Sequence, residues 1–423
     1  MSFHFHRELR LPRMIPPPLD ALPPIRHDFQ TMLLNHGIHL GYCTNIHRGE
    51  TWEETWRGLR DYTLKVKDRV ADGKPYGIGL RLSEQAARML AEPCQMAEFQ
   101  EWLEWKNCYV FTINGFPYGS FHGTRVKEKV FQPDWTTKER LDYTNLLFDL
   151  LAKLVPEGVP GSISTLPGSH KTFGIGSDEL DLIYGNLKAC RNHIEELVAK
   201  TGKDLHLGLE PEPLGLFETS GETLKFFGLY HDRHPEDRDF FKFVGLNYDT
   251  CHLAIEYEEP KAALDRITGA GIRLSKLHLS SALKLKPTPS QIEKLRAFDE
   301  PVYFHQVIAS YGDELPLRRF KDLPDALAFA SENPSDVGDE WRVHFHIPIH
   351  AQPGDGFDST RDHLVGALDW LQANPAKCQH LEMETYTWEV LPGAMREGDV
   401  VDQLVKEYEW TLGEMGARGL ALV

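Results

Sequence analysis

The stretch GLNYDTCHLAIE (residues 245–256) joins an apolar strand pattern to two groups that can bind a metal. We expect GLNY to form a strand that presents Asp249 and His252 at its carboxyl end. The D-x-x-H spacing brings a carboxylate oxygen and an imidazole nitrogen to one centre, and such mixed ligands suit a divalent metal. The alternative is a polar strand end with a surface histidine. Other apolar runs in the chain also end in Glu or His, which favours the metal.

Apolar segments alternate with helical patterns along the chain, which predicts parallel strands in a βαβ series. Besides the stretch above, strands are expected at 38–46, 76–83, 108–119, 161–169, 204–213, 272–282 and 379–388. Thr51 followed by Glu54 predicts a capping box at the first helix. A doubly wound sheet has the same alternation of strands and helices. Two observations favour a barrel: no G-x-G-x-x-G follows the first strand, and only a barrel brings all strand ends to one mouth. The expected fold class is α/β, a (β/α)₈ TIM barrel over residues 38–423.

Two segments do not follow the alternation of strands and helices. Residues 1–37 contain PRMIPPPLDALPPIR, and we expect them to form an extended, proline-rich N-terminal arm. The segment of about residues 283–357 separates strands seven and eight by much more than an ordinary loop. Two parts of it, 300–310 and 341–350, have strand character. We therefore expect a lid-like insertion at the barrel mouth between strands 7 and 8.

Composition limits the classes of function. The net charge of −17 opposes binding to a nucleic-acid backbone. The six cysteines are scattered without a C-x-x-C spacing, which argues against a disulfide framework or a zinc ribbon and favours the reducing cytoplasm. No run is long and apolar enough for a membrane span, and the N-terminus lacks a secretory apolar region.

Four strand ends carry the candidate metal ligands. They are Glu210, Asp249, His278 and Glu384. Ionisable groups in apolar strands are costly to bury unless they are paired or bound to a cation. The pattern offers no compensating lysine or arginine, so one divalent cation (Mn²⁺, Mg²⁺, Co²⁺ or Zn²⁺) would relieve the repulsion. Glu212 and Glu382 share the same strand faces, and we expect them to be solvated rim groups.

Histidines and aromatic side chains near the predicted mouth supply further candidates. HFHIPIH places His344, His346 and His350 at metal-like spacing on one face, and their expected role is substrate contact from the lid. A second group is either core or a wall for a polyol ring; its members are Phe116, Tyr118, Phe121 and Trp388.

The strand ends LEPEP, DTCH, KLHLSS and LEMETY resemble the xylose-isomerase-like TIM-barrel superfamily, which includes sugar isomerases, ketose 3-epimerases, inosose-processing enzymes and endonuclease IV-type enzymes. Within it, the motifs from LGYCTNIHRGETWEE to HLEMETYTWEVLP are similar to the EboE-type metabolite traffic proteins. This likeness covers nearly the whole chain from His39 onward, without the N-terminal arm.

The resemblance implies one metal bound by the four strand-end residues, with Glu210 and Glu384 also acting as the catalytic acid–base pair. It further implies that His252 touches the substrate. We expect additional substrate contacts from Asn45, Asn114, Tyr118, His122, His346 and Trp388. The implied reaction is proton transfer next to a carbonyl, as in a sugar or cyclitol isomerase or epimerase, within small-metabolite biosynthesis or trafficking.

Two other functions stay open. A non-catalytic metabolite-binding barrel would keep the pocket without turnover. An endonuclease IV-like phosphodiesterase needs histidines where this chain has Asn114 and Leu166, and the acidic charge opposes DNA binding. The expected ligand is a neutral polyol, sugar or cyclitol, because no Lys/Arg cluster or glycine-rich phosphate loop lies near the strand ends. A homo-oligomer is also expected, with the arm as a contact.

Overall fold

The structure is a computed structural model that describes residues 32–71, 73–119, 127–312, 315–393, 396 and 398–423. Residues 1–31 of the predicted arm and the candidate residues Phe121 and His122 lie outside the described residues. From Met32 onward the chain belongs to the folded body, because the main chain of this residue already hydrogen-bonds to Pro75 and Leu40.

The strands in chain order are β1 (Leu33–Leu34), β2 (Ile38–Tyr42), β3 (Tyr76–Arg81), β4 (Cys108–Asn114), β5 (Gly161–Thr165), β6 (Leu205–Leu209), β7 (Val244–Asp249), β8 (Leu274–Leu279), β9 (Ala282–Leu285), β10 (Val307–Ser310), β11 (Arg318–Phe320), β12 (Glu340–His346), β13 (Phe357–Ser359) and β14 (His380–Met383).

The helices are α1 (Trp52–Gly58), α2 (Leu64–Val70), α3 (Glu84–Ala91), α4 (Pro93–Trp105), α5 (Lys138–Leu154), α6 (Ser177–Thr201), α7 (Ser220–Arg233), α8 (Phe240–Phe243), α9 (Thr250–Ile255), α10 (Pro260–Gly269), α11 (Pro289–Leu295), α12 (Leu323–Glu332), α13 (Arg361–Ala373) and α14 (Val400–Ala417). A π-helical turn at Leu59–Thr63 joins α1 to α2.

Eight parallel strands form a closed barrel. The sheet runs β2-β14-β8-β7-β6-β5-β4-β3, and a parallel bridge between Cys43 and Gly79 joins its two edges. The short β1 adds to β2 in antiparallel fashion. Closure of the sheet excludes the doubly wound alternative and confirms the predicted (β/α)₈ barrel. The carboxyl ends of its strands therefore converge on one mouth.

Local sequence signals set the helices that surround the barrel. Thr51 accepts a hydrogen bond from the main chain of Glu54, and the Glu54 carboxylate accepts one from Thr51 N, so the predicted capping box is confirmed. The long α6 ends at Gly202, whose positive φ of 72° suits a left-handed cap. Apolar faces of these helices pack on the fully buried strands and form the main core.

A second sheet occupies the segment between β8 and β14. Its five antiparallel strands run β11-β10-β12-β9-β13, and it encloses a core of its own around Leu283, Trp341 and Val343. The end of β12 is tied to the barrel mouth, since Ile347 N donates to Ser281 O and His346 Nδ1 donates to Glu384 O. The second sheet thus places β12 histidines beside the strand ends of the barrel.

Within the described part of the chain, every helix is too short or too polar to cross a bilayer.

Candidate metal centre and active site

The four predicted ligands meet at the carboxyl end of the barrel. Asp249 and His278 are direct partners in the register of β7 and β8. Glu210 follows the last residue of β6, and Glu384 follows the last residue of β14. All four side chains are buried. We call them the tetrad.

Distances within the tetrad suit one cation. His278 Nδ1 lies 3.1 Å from Glu210 Oε1, 3.1 Å from Glu384 Oε2 and 3.5 Å from Asp249 Oδ2. Neighbouring ligands on a cation with bonds near 2.1 Å are separated by about 3.0–3.4 Å. One ligand atom from each residue lies within 4.8 Å of all the others. Three carboxylates and one imidazole at these separations fit a divalent metal.

A carboxylate behind His278 fixes the orientation of its ring. Glu382 Oε2 lies 2.9 Å from His278 Nε2 and also accepts from Lys276 Nζ at 2.5 Å. Burial opposes ionisation of Glu382, but the Lys276 ammonium and the His278 ring together outweigh burial and lower the pKa of this carboxyl to about 2. Since an ionised carboxylate only accepts, His278 Nε2 carries a hydrogen and Nδ1 faces the tetrad.

Two expectations about this region are wrong. Glu382 is fully buried and points into the barrel one layer below Glu384, rather than lying on a solvated rim. The barrel also contains a compensating cation, Lys276, which precedes His278 by two residues and so shares its face. Sequence analysis missed this lysine because it lies inside β8 and not at its end.

The two carboxylate oxygens of Asp249 have different surroundings. Its Oδ1 caps α9 by accepting from Cys251 N at 2.7 Å and His252 N at 3.1 Å, and it accepts from Ser280 Oγ at 2.6 Å. Its Oδ2 is buried, has no hydrogen-bond partner among the described residues and lies toward the tetrad. A buried carboxylate oxygen that accepts no hydrogen bond at this position is an observation that favours a bound cation.

Glu384 is held by two side-chain amides. Asn45 Nδ2 and Asn114 Nδ2 both donate to Glu384 Oε1, at 2.7 and 3.2 Å. These contacts leave Glu384 Oε2 directed at His278. Asn45 and Asn114 also line the central cavity.

The electrostatics of the mouth favour positive charge. Burial lowers the pKa of His278, but the carboxylates of Glu384 and Glu210 outweigh it and raise that pKa well above its usual value. Burial and the neighbouring Glu210 carboxylate raise the pKa of Glu212 well above its usual range. A divalent cation would replace the proton that these groups otherwise attract.

Three histidines form a second cluster beside the tetrad. His346 Nε2 lies 3.2 Å from His252 Nε2 and 3.3 Å from His344 Nε2. Burial lowers the pKa of His252 to about 4 and that of His344 well below its usual value. His350, from the same stretch, lies beyond the end of β12 and outside this cluster.

Part of the wall of the central cavity is aromatic, and the sequence singled out only one of these aromatic residues. Phe116 both belongs to the main core and lines the cavity, while Tyr118 packs on Tyr143 outside it and Trp388 lines a separate surface groove. The aromatic residues that sequence analysis did not single out are Phe131, Tyr303, Phe304 and Tyr386. They lie in loops and short turns without a periodic pattern, so no sequence signal marked them.

No family model and no curated protein matches the chain significantly. Among solved structures, an L-ribulose 3-epimerase aligns at 13% identity and a TM-score of 0.47, over 90% of this chain and 95% of its own. A D-tagatose 3-epimerase-like protein aligns at 11% and 0.48, over 90% and 98%. The IolI protein with a bound zinc atom aligns at 13% and 0.46, over 90% and 98%. At these scores the barrel assignment rests on the strand order and closure described above.

Proposed function

We propose that this chain is a metal-dependent isomerase or epimerase that transfers a proton next to the carbonyl of a sugar or cyclitol. The observation that carries the proposal is the placement of Glu210 and Glu384, which approach His278 Nδ1 from separate strands at 3.1 Å each. Two carboxylates that flank one centre can remove a proton from one side of a carbon and return it on the other. The proposal includes membership of the xylose-isomerase-like superfamily, which the strand-end motifs support.

The tetrad residues would hold one divalent cation, which when bound would polarise the substrate carbonyl. Glu210 and Glu384 then serve as proton acceptor and donor. Asn45 and Asn114 orient Glu384 through its Oε1 and keep its other oxygen at the centre. The aromatic side chains of the cavity would reduce the access of water to the reacting carbon.

The lining of the cavity supports a neutral polyol as the ligand. The only cationic side chain among the described lining residues is Lys127, and it is already paired with Asp322. Aromatic faces and side-chain amides suit the ring and hydroxyls of a sugar or cyclitol. A phosphorylated ligand would require a cation that is not already engaged.

The proposal extends to the setting of the reaction. The motif likeness supports an EboE-type protein of small-metabolite biosynthesis or trafficking. All six cysteines are unpaired, which supports a cytoplasmic protein. Residues 283–357 would serve as the lid, since Tyr303 and Phe304 from this segment line the cavity.

Exchange of substrate hydrogen with solvent tests the reaction directly. The Mn²⁺-loaded protein is incubated in D₂O with ketoses and inososes, and deuterium next to the carbonyl is followed by NMR. We expect exchange to fall by about 10²–10⁴-fold in Glu210→Gln and Glu384→Gln. Glu389→Gln, outside the cavity, is the matched control. If the wild-type protein binds a polyol but neither it nor any variant exchanges hydrogen with solvent, the non-catalytic barrel is favoured.

A further inference from the structure

The amino-terminal end of the barrel, opposite the mouth, contains a cavity of about 390 Å³. Its walls come from the amino ends of three strands and from the loops that precede them. His206 lies near the start of β6, Arg273 directly precedes β8, and His380 is the first residue of β14. Glu210 and Glu384 follow the two histidines by four residues, which is about 13 Å along a strand, so the cavity is separate from the tetrad.

Two buried imidazoles in the wall of this cavity are incompletely hydrogen-bonded. His206 and His380 are 2% and 1% exposed, and they stack with their ring centroids 5.4 Å apart. His206 Nδ1 and His380 Nε2 have no hydrogen-bond partner among the described residues. The other nitrogen of His380, Nδ1, lies 2.7 Å from Ser162 Oγ. Because buried polar atoms are nearly always paired, these two nitrogens indicate a partner inside the cavity, either water or a bound ligand.

The guanidinium of Arg273 has one unused edge. Its Nη1 donates to Asp204 Oδ1 at 2.8 Å and to Lys242 O at 3.3 Å, and its Nη2 donates to Asp204 Oδ2 at 2.6 Å. A guanidinium has five N–H donors, so Nε and one hydrogen of Nη2 remain without an acceptor among the described residues. These two donors lie side by side and form a fork that matches two oxygens of a phosphate or a carboxylate.

The charges around this cavity favour an anion. Asp204 is the only carboxylate among the described lining residues, and Arg273 neutralises it. The exposed Lys377 also lines the cavity, and no described carboxylate pairs with it. Burial lowers the pKa of His206 and of His380 well below the usual value, and the charge of Arg273 lowers it further. Both rings are therefore neutral and still have one N–H donor each.

We propose that this cavity is a second ligand site, which binds a small oxyanion with a phosphate or a carboxylate group. The free edge of Arg273 binds two of its oxygens, and Lys377 pairs with its charge. His206 and His380 form hydrogen bonds with it from the buried side of the cavity. The site does not depend on the proposed reaction, which is assigned to the opposite end of the barrel.

Calorimetric titration with two anions tests this site. Untagged full-length protein is titrated with inorganic phosphate and, separately, with succinate, before and after chelator treatment, because phosphate also binds divalent metals. Arg273→Gln removes the free guanidinium edge, and Lys377→Gln removes an exposed charge without a change in the core. Arg233→Gln is the matched control outside the cavity, since Arg233 has a similar exposure and is also paired with an aspartate, Asp181. Circular dichroism and melting temperature verify folding of each variant.

We expect one bound anion per chain, with an affinity that falls about 10–100-fold in Arg273→Gln, about 2–5-fold in Lys377→Gln and not at all in Arg233→Gln. Tighter binding of phosphate than of succinate would assign a phosphate group to the ligand, and the reverse order a carboxylate. Equal affinities in the wild type and the cavity variants that fold would overturn the proposal. So would the absence of binding at millimolar concentrations, which would leave the cavity to water. Binding that disappears with the metal would place the anion at the tetrad and also overturn this site.

Discussion

Glu382 lies one layer below the tetrad and contacts one of its side chains. It accepts from His278 Nε2 and from Lys276 Nζ, so it both orients a tetrad ligand and neutralises a buried ammonium. Carboxylates that orient a metal-binding histidine typically change metal affinity by 10–100-fold when they are removed.

We therefore expect Glu382→Gln to weaken Mn²⁺ binding by about 10–100-fold in a calorimetric titration. It should also destabilise the fold by roughly 3–5 kcal/mol, because Lys276 loses its buried partner. The double variant Lys276→Met/Glu382→Gln removes the unpaired charge and should recover stability without recovering affinity. Unchanged affinity in the double variant would refute the orienting role.

Glu407 on α14 predicts a pH dependence of stability. It is fully buried and accepts from Thr385 Oγ1 at 2.7 Å and Ile349 N at 3.2 Å, yet burial outweighs these bonds and raises its pKa to about 7. A pKa raised in the folded state stabilises the fold at low pH, and this contribution is lost as pH rises from about 4.5 through 7.

Glu407→Gln should thus unfold with a free energy that changes less between pH 5 and pH 8 than that of the wild type. The expected difference is at most about 3 kcal/mol, measured by urea denaturation at both pH values. Glu409→Gln, exposed on the same helix, is the control. Identical pH profiles for the wild type and Glu407→Gln would contradict the account.

At the scale of elements, the approach of β2 and β3 depends on a glycine. A methyl group on Gly79 would overlap Glu382 Oε1 and lie 2.7 Å from the carbonyl oxygen of Tyr42. Because Glu382 contacts His278, crowding where β2 meets β3, which we call the seam, should disturb the tetrad. The seam also carries the bridge between Cys43 and Gly79 that closes the sheet.

Gly79→Ala should cost about 1–3 kcal/mol in stability and lower Mn²⁺ affinity, as measured by chemical denaturation and titration. Gly185 gives the matched control, because it is exposed in α6 with no atom within 4 Å of an added methyl group. Gly185→Ala should be neutral or stabilising by up to about 1 kcal/mol. Equal effects of the two substitutions would show that the seam tolerates a side chain.

The strands of the barrel and of the second sheet show which parts of the candidate site the sequence could predict. Strand–helix alternation and residues at strand ends predicted the barrel and brought together Glu210, Asp249, His278 and Glu384, because strand ends of a barrel must converge. The pairing of Lys276 with Glu382 depends on depth inside the barrel, which the order of residues does not reveal. The position of His344 and His346 depends on how the second sheet pairs and docks, and period two predicts only that they share a face.

For the whole molecule, a bound metal should add to stability. The chain carries a net charge of −17, and the tetrad concentrates three carboxylates in a buried mouth. A ligand that binds only the folded state stabilises it by about 2.7 kcal/mol when its concentration is 100 times its dissociation constant.

We expect Mn²⁺ to raise the melting temperature of the chelator-treated wild type and to leave Asp249→Asn unchanged. Asparagine at this position retains an oxygen to cap α9 while removing the oxygen that points to the tetrad. The measurement is a thermal scan with and without metal at constant ionic strength. An equal rise in both proteins would place the stabilising metal elsewhere.

The central claim is that the tetrad binds a divalent cation, and anomalous diffraction from crystals soaked in Mn²⁺ tests it most directly. The account predicts a manganese peak within bonding distance, about 2.0–2.4 Å, of Glu210, Asp249 Oδ2, His278 Nδ1 and Glu384 Oε2. The peak should vanish in crystals of Asp249→Asn. A map with no peak among these four side chains, from crystals in which they are well ordered, would contradict the claim.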